Sequence, residues 1–142
     1  MKISARNQFR GKVASVTPGA VNAEVVVALP GGEEIVAVVT SESVKSLNLK
    51  HGVDVVALVK ASSVLVMTDA SGVRLSARNS LTGKVSALDK GPIHAEVTIT
   101  LPTGDAVHAT ITHKACDALG LAEGVAATAL IKAPLVILGV PA

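Results

Sequence analysis

Apolar and polar positions along the chain follow first a two-residue and then a three-residue rhythm. Phe9 to Val16 alternates unevenly and stops at Thr17-Pro18-Gly19, a turn sequence. Val21 to Leu29 places Val21, Ala23, Val25 and Val27 on one face and Glu24 on the other, which predicts a strand. Leu29-Pro30-Gly31-Gly32 predicts a hairpin turn, and Ile35 to Val39 the returning strand. Val44 and Leu47 then stand three apart behind Thr40, a capping residue type, so one or two turns of helix are expected. His51-Gly52 marks another turn, Val53 to Val59 a strand, and Ser63 to Met67 the last strand. Val13, Val25, Leu47, Leu49, Val53 and Leu58 are the expected core residues of this stretch.

The whole pattern then recurs. Residues 3–67 align with 75–139 at a constant offset of 72 without a gap, and 25 of the 65 positions are identical. A shared valine-rich composition does not produce that many matches in one register, so the chain is read as two copies of one module. The modules are expected over 1–68 and 75–142, joined by the short segment 69–74. Five short strands and one short helix per copy predict an all-β fold. Its architecture would be two tandem OB-like five-stranded Greek-key β-barrel modules. A module of about 65 residues buries only a modest share of its surface, so packing against further copies is expected.

Composition narrows the function. Val (23) and Ala (22) carry the apolar content, and Phe9 is the sole aromatic residue. Base-stacking recognition of nucleic acid requires aromatics, and a net charge of +2 is too balanced for a phosphate-backbone footprint, so no nucleic-acid partner is expected. No apolar run approaches the roughly 20 residues of a membrane span. The opening Met1-Lys2-Ile3-Ser4 lacks a hydrophobic signal core, so a cytoplasmic location is expected. A single cysteine, Cys116, excludes an internal disulfide, and it is read as a buried small hydrophobe. The four histidines each align with a non-histidine, which speaks against a metal-cation site. With no phosphate loop and no nucleophile–base arrangement, the chain reads as a binding module and not an enzyme.

Both copies keep a polar set: Ser4, Arg6, Asn7, Lys12, Glu24, Thr40 and Lys60, with Ser76, Arg78, Asn79, Lys84, Glu96, Thr112 and Lys132. Arg offers a planar fork of N–H groups, Lys a compact charge and hydroxyls short adjustable donors, the chemistry that holds oxyanions. Ser4, Arg6, Thr40, Ser43 and Lys60 together would suit a small tetrahedral dianion. Surface ion pairs, such as Arg6 or Lys60 with Glu24, are the other reading of the same residues. Spacing alone leaves both open.

Ser4-Ala5-Arg6-Asn7, repeated at Ser76-Ala77-Arg78-Asn79, resembles the molybdenum-pterin-binding (Mop) family, of the TOBE type. The resemblance extends through Gly11-Lys12-Val13, Ala23-Glu24-Val25, Leu29-Pro30-Gly31-Gly32, Thr40-Ser41-Glu42-Ser43 and Lys60-Ala61, and covers both modules. It implies binding of molybdate, and of tungstate as its analogue, without an organic cofactor. A tandem of two such modules is similar to members that form homotrimers with anions at module interfaces. Residue by residue, the resemblance implies a first site type at Ser4, Ala5, Arg6, Thr40, Ser43, Lys60 and Ala61. In the second copy this becomes Ser76, Ala77, Arg78, Thr112, Lys132 and Ala133, with Ala115 in place of Ser43. A second site type is implied at Gly19, Val21, Asn22 and Ala23, and at Gly91, Ile93, His94 and Ala95. The expected role is intracellular molybdenum storage, buffering and homeostasis. The alternative is a molybdate-responsive sensor or interaction module acting through a protein partner.

Overall fold

The computed structural model describes residues 1–69 and 71–141. In the first repeat the alternating stretches become β1 (Asn7–Thr17), β2 (Asn22–Ala28) and β3 (Glu34–Thr40). Helix α1 (Ser41–Ser46) follows, then β4 (Asp54–Val59), a 3-10 turn at Ala61–Ser63, and β5 (Leu65–Met67). The second repeat gives β6 (Asn79–Lys90), β7 (His94–Thr100), β8 (Ala106–Thr112), α2 (His113–Ala118) and β9 (Ala126–Ile131). A 3-10 turn at Ala133–Leu135 and β10 (Ile137–Gly139) complete it. The fold is all-β and OB-like in tandem. Among the described residues no helix is long and apolar enough to cross a membrane.

Strand order departs from the repeats. One sheet runs β10-β4-β1-β2-β3 and the other β5-β9-β6-β7-β8, so each repeat's last strand completes the other repeat's sheet. Ile137 lies opposite Leu58, and Leu65 lies opposite Leu130, in antiparallel register. The compact units are therefore Met1–Val59 with Lys132–Ala142, here unit 1, and Lys60–Ile131, unit 2. These compact units differ from the repeats, 1–68 and 75–142, by the exchanged segments. The physical reason lies in the repeat itself. Leu58 and Leu130 hold the same place in the two copies, as do Leu65 and Ile137, so an aliphatic pair forms either way and cross-strand pairing does not oppose exchange.

Within each unit the strands bury alternate residues. Val13, Val25, Val27, Ile35, Ala37 and Leu49 are buried in unit 1, with Val85, Val97, Ile99 and Val107 in unit 2. Leu58 is buried as expected, whereas Leu47 and Val53 are only half-buried at the helix C-cap and the approach to β4. Val21 is a correction. Its strand begins one residue later, and the side chain is 74% exposed, because its carbonyl accepts from the Ser41 amide at 2.8 Å and fixes the turn. Gly11 and Gly83 allow β1 and β6 to press on their neighbours: a Cβ at either would collide with the carbonyl oxygen of Ala28 or Thr100. Cys116 is fully buried and free, as the sequence predicts.

Candidate functional site

Thr40 ends β3 in extended conformation (φ −68°, ψ 149°) and caps α1. Its Oγ1 accepts from the Ser43 amide at 3.0 Å and donates to the Ser43 hydroxyl at 2.8 Å. The two hydroxyls are thereby held side by side. Thr112 caps α2 in the same way, accepting from the Ala115 amide at 3.0 Å, where Ala115 stands in place of the hydroxyl-bearing Ser43. Thr40 and Ser43 line a cavity of about 430 Å³ in unit 1, together with Asn22, Leu47 and Pro134.

Pro134 belongs to the 3-10 turn of the second repeat, so the strand exchange regroups the candidate donors. Unit 1 holds Ser4, Ala5, Arg6, Thr40 and Ser43 with Lys132 and Ala133. Unit 2 holds Ser76, Ala77, Arg78 and Thr112 with Lys60 and Ala61. Lys60 is the first residue of unit 2 and directly follows Val59, which pairs with Asn7 in unit 1. Lys60 and Lys132 are exposed, and Ala61 and Ala133 are buried.

The Ser-Ala-Arg-Asn segments lead into β1 and β6. Asn7 and Asn79 are 1% and 2% exposed, and the Asn79 amide donates to the Ile131 carbonyl at 3.2 Å. Asn7 pairs in register with Val59, and Asn79 with Ile131. Each Arg therefore precedes, and each Lys follows, a directly paired couple at the same end of a sheet. The Asn anchors that end, so its place in the motif is structural, while Arg6 and Arg78 lie at the surface.

The second candidate set occupies the turn before β2 and its copy before β7. Ala23 and Ala95 are buried, and Val21 and Ile93 point outward. Asn22 and His94 stand opposite Thr40 and Thr112, and Asn22 lines the same cavity as Thr40. The structure thus joins one member of the second set to the first. Gly19 and Gly91 are tied down differently: Ser41 Oγ donates to the Gly19 carbonyl at 2.9 Å, whereas His113 Nδ1 donates to the Gly91 carbonyl at 2.8 Å. His113 Nε2 also meets Asp117 Oδ2 at 3.1 Å, and Lys90 Nζ meets Asp117 Oδ1 at 2.7 Å. The hydrogen bond from Lys90, with the charges of His113 and Lys90 beside it, holds the Asp117 carboxyl below its ordinary range; the same bond raises Lys90. Sequence reasoning missed this cluster because the first repeat has Pro18, Ser41 and Lys45 at its positions.

The TOBE domain model matches residues 3–66 and again 75–138. The chain belongs to the TOBE domain family. Among TOBE relatives, the molybdenum transport protein ModE of Azotobacter vinelandii is 48% identical over 140 residues, 99% of this chain and 52% of that protein. The molybdenum-pterin-binding protein MopA of Rhodobacter capsulatus is 48% identical over 141 residues, 99% of this chain and 53% of that protein. The chain therefore spans about half the length of these curated relatives. Among solved structures, the cytoplasmic molybdate-binding protein ModG, with molybdate bound, superposes with a TM-score of 0.97 at 55% identity. The match covers 99% of this chain and 100% of that one. MopA and ModG are thus named for binding, and ModE for molybdenum transport.

Proposed function

We propose that this chain binds molybdate, with tungstate as its analogue, and stores and buffers the anion in the cytoplasm without catalysing a reaction. The observation that carries the reading is the match over nearly the whole chain to a protein solved with molybdate bound. The donor chemistry supports it. Molybdate is a tetrahedral dianion with no acidic proton near neutral pH, so hydroxyls, amides, Lys and Arg satisfy it. Hydrogen bonds to a charged acceptor contribute roughly 1.5–3 kcal/mol each. Ser4, Ala5, Arg6, Thr40, Ser43, Lys60 and Ala61, and in the second copy Ser76, Ala77, Arg78, Thr112, Lys132 and Ala133, are the proposed first-type donors. The turns at Gly19, Val21, Asn22 and Ala23, and at Gly91, Ile93, His94 and Ala95, are the proposed second type.

Self-association into a homotrimer belongs to the same proposal. Exposed apolar side chains recur at repeat-equivalent places: Val21 (74%) with Ile93 (71%), and Leu65 (66%) with Ile137 (64%). Met1 with Val73 and Ile3 with Leu75 repeat the pattern. An apolar surface kept in both copies is what contacts among identical chains require. Calorimetry with molybdate, tungstate and sulfate tests the reading. Molybdate and tungstate are expected to bind, sulfate far more weakly, and Arg6→Ala with Lys60→Ala to weaken binding sharply. Sulfate binding as tightly as molybdate would overturn the selectivity.

A second reading rests on the length of the relatives. Because this chain matches about half of ModE, the same modules also serve as part of a longer protein, and a sensor acting through a partner is the alternative. Stoichiometric, molybdate-dependent capture of a defined partner would favour it.

A further inference from the structure

The two units differ in which segment carries their hydroxyls, and the strand exchange makes the difference intelligible. In unit 1, Thr40 and Ser43 face a 3-10 turn that reads Ala133-Pro134-Leu135, which has no hydroxyl. In unit 2, Ala115 has replaced the Ser43 equivalent, but the 3-10 turn reads Ala61-Ser62-Ser63. Pro134 lines the unit 1 cavity, and Ser62 holds its place at the offset of 72. Ser62 is exposed, and its hydroxyl makes no hydrogen bond among the described residues. Ser62 also retains a backbone N–H at the position where proline has none.

We infer that Ser62 is an oxyanion donor in unit 2, supplying there the hydroxyl that Ala115 lacks, while Ser43 supplies it in unit 1. The inference rests on the molybdate-binding reading above. Each unit then presents a capping threonine and one further serine hydroxyl, from α1 in unit 1 and from the 3-10 turn in unit 2. A single-module comparison of the two repeats counts one donor lost in the second copy. The exchanged segments restore the count, because the loss at Ala115 and the gain at Ser62 fall in the same unit.

The experiment is molybdate calorimetry on the full chain with Ser62→Ala, Ser62→Thr, Ser43→Ala and the double variant Ser43→Ala/Ser62→Ala. Removal of a hydrogen bond to a charged acceptor weakens binding by roughly tenfold or more. Ser62→Ala is expected to weaken one class of sites to that extent and leave the other unchanged. Ser43→Ala should weaken the complementary class, the double variant both, and Ser62→Thr should retain wild-type binding. Because Ser62 is exposed and not hydrogen-bonded, its variants are expected to keep the wild-type melting temperature. A Ser62→Ala isotherm that superimposes on wild type overturns the role of Ser62 alone. A wild-type chain that takes up no molybdate overturns the underlying reading instead.

Discussion

Lys90, Asp117 and His113 form a charged cluster whose behaviour follows from single contacts. Asp117 titrates below its ordinary 3.8 in the folded chain because Lys90 donates to it. A carboxyl with a depressed folded value stabilises the fold fully above its unfolded value, and that contribution is lost as pH falls through the folded one. The pair therefore lapses only on the acid side of pH 3.8, and again at alkaline pH above the raised value of Lys90. Lys90→Ala is expected to move the Asp117 midpoint upward toward the ordinary value in a carbon-detected carboxyl titration; an unchanged midpoint would contradict the assignment. None of this was legible from the sequence, since Lys90 and Asp117 are 27 residues apart and their counterparts Pro18 and Lys45 form no such pair. The Thr40 and Thr112 caps were legible, because capping is local and both copies keep the residue. Ser62 was not, because the unit its turn joins depends on the strand exchange.

At the scale of elements, alternation at Val21–Leu29 and the Pro-Gly-Gly turn located β2 and β3 to within a residue or two, since those signals arise from local geometry. The partnership of β5 and β10 was hidden for a reason the pairing makes plain. Leu65 and Ile137 suit Leu58 and Leu130 equally, so no one-residue signal favours either arrangement. The exchange has a direct consequence. Leu138 is buried, and it pairs with Ala57 on β4 of the first repeat. Leu138→Asp places a charge in that sheet edge and is expected to strip hydrogen-exchange protection from Val56 to Leu58 while sparing Thr128 to Leu130. Loss of protection at β9 in place of β4 would show that the strands are not exchanged.

At the scale of the molecule, the scarcity of aromatics and the repeated valine and alanine faces belong together. Small side chains let β1 and β6 press against their neighbours at Gly11 and Gly83 and leave matched apolar residues at the surface of both repeats. The small net charge fits the proposed function, in which donors recurring every 72 residues would serve several small anions and not one long polyanion. In the proposed function assembly and anion uptake go together, and native mass spectrometry with and without molybdate reads both at once. The expected spectrum is a homotrimer that gains discrete molybdate masses when the anion is added. A species that gains no such mass in molybdate excess, whatever its subunit count, would contradict the proposed function.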